Sequence, residues 1–315
     1  LVQLCAMGFI IGYVIRSNNV WMVFSLMAVI QAVGFFFGHG SGNYISRQLG
    51  RHESGDAGKM AATGVTLAFL AGCVILTLGQ IFLTPLARLL GSTDTILPYA
   101  RSYLRIILLG APYMTASFVL NNQLRFQGSA AYGMVGIAAG AVLNVGLDPL
   151  LIFVLDMGVA GAALATICSQ TVAAVLTIRY LCRLPEDLRL EWRKIRVKPV
   201  LAKKIFVIAI PEAIRSMMIT LANIIVQSQI NMLGVESMAA YAAYCKAEGF
   251  LYLPQWAVGQ ANTTFVSQNL GAGQVKRAEK STRTALVMGI AITLAISGLV
   301  LLFPSQVFRM FSNEP

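Results

Sequence analysis

The sequence predicts an all-α polytopic membrane protein built as two parallel-repeat helical lobes, and three observations carry that reading. Of its 315 residues, 57% are apolar and only 12% are charged, about half the charged fraction of an ordinary soluble domain. Mean hydropathy is +0.71, and nearly charge-free runs recur at the ~20-residue length that a helix needs to cross a bilayer core. A segment near the start of the chain also returns, without a gap, in its second half. The formal net charge of +11 would suit nucleic acid only if the basic residues shared a solvated face. They fall instead between apolar runs, so no nucleic-acid partner is expected.

In chain order, Leu1 to Ile15 reads as the remnant of a first span, since it lacks the basic leader and small-residue cleavage site of a signal peptide. Full spans are predicted at about 20–46, 60–84, 100–124, 131–154, 158–180, 203–232, 237–267 and 282–303. Connections such as Asp156-Met157-Gly158 are short. Counting the remnant as first, the connections after the even-numbered segments hold Arg47, Arg51 and Lys59; Arg125; nine basic residues from Arg179 to Lys204; and Lys276, Arg277, Lys280 and Arg283. The opposite side holds only Arg16, Arg88, Arg101 and Arg309. The excess of Lys and Arg marks the basic loops as cytoplasmic. The longest, about 181–202, is amphipathic; it reads equally as a solvated linker between halves or as a segment lying on the inner leaflet.

The repeat is the most informative pattern. A shift of 221 residues places Gly38, Ser46, Leu49, Gly50, Ala57, Lys59, Thr63, Phe82 and Arg88 on Gly259, Ser267, Leu270, Gly271, Ala278, Lys280, Thr284, Phe303 and Arg309. Both copies put a polar Ser-x-x-Leu-Gly cluster where a span enters a basic loop. The period implies a twelve-helix parent of about 440 residues in two six-span halves, of which about eight full spans are present. Six spans separate the copies, an even number, so both insert in the same orientation. The predicted organisation is an N-terminal lobe over 1–182, a basic interlobe loop over 183–202 and a partial C-terminal lobe over 203–315.

The five cysteines are scattered, with no Cys-x-x-Cys, and there are two histidines. The cysteines read as small core residues, and no resident cofactor or metal centre is expected. Gly34, Gly38 and Gly42 form a small-residue stripe for close helix packing rather than a dinucleotide loop, because they follow a membrane span and not a strand. No Walker loop, Gly-x-Ser-x-Gly elbow or paired-histidine motif is present in the sequence, which argues against ATP-driven pumping, hydrolysis and enzyme activity in general.

Polar residues inside the membrane are costly and therefore candidates for function. Gly136, Gly140, Asn144 and Asp148 recur at a spacing of four along one helix face, and Pro149 follows. An amide oxygen, a carboxylate and a carbonyl freed by proline are hard ligands suited to Na⁺, and the carboxylate alone could carry H⁺; the alternative is an interface or capping role for Asp148. Thr166 and Gln170 share a stripe on the next span, where Thr166 either approaches Asp148 or bonds its own backbone. In the second half, Glu212 and Arg215 are spaced for an intrahelical pair, structural or gating. Asn223, Gln227 and Asn231 form a further polar stripe, while Lys246, Glu248 and Arg105 need partners that spacing does not name.

At these residues the chain resembles the MATE (multidrug and toxic compound extrusion) family. The resemblance rests on Gly42-Asn-Tyr-Ile-Ser-Arg-Gln-Leu-Gly50, Leu124-Arg-Phe-Gln-Gly128, Asn144-Val-Gly-Leu-Asp148, Gly158-Val-Ala-Gly-Ala-Ala-Leu-Ala-Thr166 and Val266-Ser-Gln-Asn-Leu-Gly-Ala-Gly273. It implies a monomeric transporter in the cell membrane that exports drugs or small metabolites, often organic cations, by alternating access in antiport with Na⁺ or H⁺. The cation site it implies is Asn144, Asp148 and Thr166; the family's acidic residue on the first helix has no match in Leu1 to Ile15. A lipid-linked oligosaccharide flippase of the related superfamily would favour a cavity rich in cations, and only Arg105, Arg215 and Lys246 lie within spans. The polar stripes argue against a non-transporting scaffold, and the missing catalytic pairs against a membrane-embedded transferase.

Overall fold

A computed structural model describes residues 20–53, 56–90, 94, 97–183, 198–232, 234, 237, 241, 244–245, 248–249 and 252–302. The remnant Leu1 to Ile15, the amphipathic part of the interlobe loop, Lys246 and the side chain of Asn231 lie outside the described residues. Those described are helical, with no strand among them: α1 (Val20–Gly50), α2 (Ala57–Ile81), α3 (Leu83–Leu89), α4 (Leu97–Phe126), α5 (Ala130–Pro149), α6 (Gly158–Leu181), α7 (Pro199–Asn231), α8 (Leu253–Gly271) and α9 (Val275–Leu302). Among the described residues, six helices are long and apolar enough to cross a membrane: α2, α4, α5 with its continuation to Val154, α6, α7 and α9. Of the span expected over 237–267, the continuous described part is α8 from Leu253 onward, whose Gln255, Gln260, Asn262, Gln268 and Asn269 set it apart from those six.

Two compact units divide between Ala209 and Ile210, inside α7, with Gly50–His52 grouped with the second. In the first, α4 is the most buried helix. One core cluster along it joins Leu26, Ile30, Leu104, Ile107, Met114 and Ala163. Another joins Phe37, Met60, Leu120, Leu124, Leu201 and Ile205. The glycine stripe predicted on α1 is the contact with α4. A Cβ on Gly38 would stand 2.7 Å from the Asn122 Cβ, one on Gly34 would strike Phe118, and one on Gly42 the Phe126 ring. Polar bonds pin the same helices. Gln123 donates to Ser41 Oγ at 3.0 Å and to the Ala61 carbonyl at 3.2 Å. Arg125 donates to Asn122 Oδ1 at 2.6 Å and contacts His39 Nε2 at 3.3 Å.

The duplication predicted from sequence reappears in how α1 and α8 end. Glu53 N–H bonds to the Gln48 carbonyl at 3.1 Å past His52, which has φ 56°; Gln274 N–H bonds to the Asn269 carbonyl at 2.8 Å past Gly273, with φ 72°. Each is a helix C-cap closed by one left-handed residue, and the two stand at the repeat shift. In the second unit, α8 and α9 pack as a pair, joined by Ser281 donating to Asn262 Oδ1 at 2.9 Å and Thr293 donating to Gln255 Oε1 at 2.5 Å.

Candidate functional site

The candidate site is built on the α5–α6 hairpin. Pro149 cannot donate a backbone hydrogen bond, and just after it the helix widens into a π-helical turn over Leu150–Val154. The Leu155 N–H reaches the Leu150 carbonyl at 3.0 Å. The chain then reverses through Asp156 (φ 50°) and Gly158 (φ 52°), a left-handed pair that makes the predicted short connection possible.

Small residues bring the two helices together. A Cβ on Gly136 would lie 2.9 Å from Thr177 Oγ1 and 3.2 Å from the Ala173 carbonyl. One on Gly140 would lie 3.0 Å from the Ser169 carbonyl, and one on Gly161 would lie 2.7 Å from the Leu151 carbonyl. This antiparallel register sets Thr166 level with the stretch between Asn144 and Asp148. All three are buried, at 2%, 3% and 6% exposure for Asn144, Asp148 and Thr166.

Asn144 Nδ2 donates to Asp148 Oδ1 at 3.2 Å, within one turn of α5. The bond satisfies one carboxylate oxygen and holds the Asn144 amide oxygen on the same face. Thr166 Oγ1 donates to the Ala162 carbonyl at 3.0 Å, so its proton is used by its own helix and its oxygen lone pairs remain to accept. An amide, a carboxylate and a hydroxyl oxygen thus share one level of the hairpin.

Two residues at this level escaped the sequence reading. Tyr103 on α4 is 3% exposed, its hydroxyl has no hydrogen-bond partner among the described residues, and it lies in electrostatic reach of Asp148. Ser169 is fully buried with Oγ likewise unpartnered. Ser169 sits three residues after Thr166, so helical spacing could have found it. Tyr103 reads as one more aromatic in an apolar span, and only tertiary packing reveals it.

The remaining candidates stand elsewhere. Gln170 is half-buried on α6. Glu212 and Arg215 form the intrahelical pair: Arg215 Nε donates to Glu212 Oε2 at 2.9 Å and Nη2 to the other carboxylate oxygen. Asn223 and Gln227 are exposed on α7 in the second unit. Arg105 is exposed, and its backbone carbonyl accepts from Gln80 at 2.8 Å.

Comparison with known proteins gives the family and the fold. The MatE family model matches residues 20–150 and 211–315. The multidrug export protein MepA of Staphylococcus haemolyticus is 25% identical over 311 residues, covering 98% of this chain and 68% of that protein. An FAD transporter of Shewanella oneidensis is 28% identical over 303 residues, covering 93% of this chain and 66% of its own length. A crystal structure of MATE in the bent conformation, 23% identical, matches 99% of this chain and 70% of the other with a TM-score of 0.90, which shows the fold. The chain therefore spans about two thirds of the relatives it matches. With the family model covering well over half of its residues, and the same helical fold in the solved structure, the chain belongs to the MatE family.

Proposed function

We propose that this chain is the larger part of a secondary efflux transporter that exports drugs or small metabolites across the plasma membrane, and that Asp148 couples export to the inward movement of Na⁺ or H⁺. The observation that carries this reading is the buried Asn144–Asp148 hydrogen bond at 3.2 Å, level with Thr166, on a hairpin of a MatE-family chain. A carboxylate held in a buried site is costly unless paired. A bound cation or a proton neutralises it, so the occupied and empty states differ in energy.

In this reading the C-terminal residues Glu212, Asn223, Gln227 and Asn231, with Gln170, contribute to a substrate path. The lobes over 1–182 and 203–315 move about the 183–202 loop to alternate access. Binding of the ion on one side shifts that equilibrium by its differential affinity for the two arrangements. The protein acts as a monomer, without a resident cofactor, and as a carrier rather than an enzyme. The bidentate Glu212–Arg215 pair neutralises one of the three in-span cations, which favours drug or metabolite export over the flippase alternative.

The test is efflux by the full-length protein in proteoliposomes under an imposed Na⁺ or H⁺ gradient. Asp148→Asn is expected to cut gradient-driven transport by about 5- to 150-fold, the range that a coupling of about 1–3 kcal/mol gives, while substrate binding persists. Full gradient-driven efflux by Asp148→Asn would overturn the assignment.

A further inference from the structure

The inner end of the first unit gathers lysines from distant parts of the chain around one carboxylate. Lys59, in the first turn of α2, stands 2.9 Å from Asp56 Oδ1. Lys198 and Lys204, where the chain enters α7, lie within electrostatic reach of the same group. The hydrogen bond from Lys59 holds the Asp56 carboxyl below its ordinary value, and the Lys59, Lys198 and Lys204 charges add to that effect. Lys204 Nζ also sits 4.8 Å from the centroid of the Tyr44 ring and donates to the Tyr44 hydroxyl at 3.2 Å; Gln48 Nε2 donates to the same hydroxyl at 2.9 Å. Lys59 pairs with the one carboxylate, Lys204 is held on Tyr44 and Lys198 acts on the same carboxylate from farther off, so positive charge is in excess.

The surroundings are those of a membrane boundary. The cluster lies on the basic side of the chain, where Lys and Arg meet the headgroups of the inner leaflet. Two and three residues past Lys204 on α7, Phe206 and Val207 are 41% and 62% exposed, an apolar surface about 3–5 Å further along the helix axis than that lysine. Phe206 packs edge-on against Phe36 at 5.6 Å and Phe37 at 5.9 Å, so this surface is fixed to α1. Basic groups above an apolar face match a headgroup phosphate above its acyl chain.

We propose that Lys59, Lys198 and Lys204, with Tyr44, bind the phosphate of an anionic phospholipid headgroup, and that the bound lipid ties the entry of α7 to the junction of α1 and α2. The site belongs to the first copy of the repeat alone. At the equivalent positions of the second copy Tyr44 becomes Phe265 and Asp56 becomes Arg277, and there Arg277 lies over the Phe265 ring at 5.4 Å with no phenol hydroxyl available. The proposal stands independently of the role of Asp148.

The test is thermal unfolding of the detergent-solubilised full chain, titrated with short-chain phosphatidylglycerol, short-chain phosphatidylcholine or inorganic phosphate. Phosphatidylglycerol is expected to raise the unfolding midpoint saturably, and the other two to leave it unchanged. Each lysine near an anionic surface is worth about fivefold in affinity. Lys198→Gln/Lys204→Gln should therefore weaken the phosphatidylglycerol titration about thirtyfold, and the exposed single variant Lys59→Gln about fivefold. Arg88→Gln, whose guanidinium pairs with Asp94 on the opposite side, should titrate as the parent does. Parent-like titration by both lysine variants overturns the site, and an equal response to phosphatidylcholine or to inorganic phosphate overturns the anionic lipid as its occupant.

Discussion

The Tyr103 hydroxyl is buried in the same neighbourhood as Asp148, without a hydrogen-bond partner among the described residues. An unmet buried donor costs about 1–3 kcal/mol, so Tyr103→Phe should leave the thermal midpoint of the ion-free protein unchanged or raise it by up to about 1 kcal/mol equivalent. A clear loss of stability in that variant would show that the hydroxyl is already bonded. The contrast between Tyr103 and Asp148 explains what was legible at this scale. Asp148, Asn144 and the glycines before them stand out because a period of four in a charge-poor span is visible in one dimension. Tyr103 gives no such signal, because its relation to Asp148 is made by α4 lying against the hairpin. Thr166 was ambiguous between its own backbone and the carboxylate; the structure gives its proton to Ala162 while placing its oxygen at the level of the pair.

At the scale of the element, glycine decides how closely helices approach. Gly38→Val would drive a branched side chain into Asn122, where even a Cβ comes within 2.7 Å, and should cost about 3 kcal/mol, read as loss of folded protein by size-exclusion chromatography. Gly146→Ala on α5, with nothing within 4 Å of an added Cβ, should be neutral or stabilise by up to about 1 kcal/mol. Equal behaviour of the two variants would refute the packing assignment. Apolar run length placed most helices, because burial in lipid demands a continuous stretch. It misplaced their ends, since polar turns such as Ser46–Gly50 remain helical once their backbone is capped beyond Gly50. The π-helical turn after Pro149 was also hidden: a proline announces a broken hydrogen bond but not how the following carbonyls are reclaimed.

At the scale of the molecule, a multi-pass membrane chain carries its orientation in its loops. In a cysteine-free background, Lys280→Cys should react with an impermeant maleimide only from the cytoplasmic face, and Arg88→Cys only from the opposite face. Labelling of both from one face would contradict the loop assignment. The repeat was legible because the same polar cluster closes a span in each half, and the caps at His52 and Gly273 stand at the same shift, as that repeat requires. The close contacts at Gly136, Gly140 and Gly161 have a mechanical consequence. They lock α5 and α6 into one stiff rod, which fixes the register of Asn144 and Asp148 against Thr166. Tyr103 stands outside that rod, so its hydroxyl meets the Asp148 carboxylate only as closely as α4 packs against the hairpin.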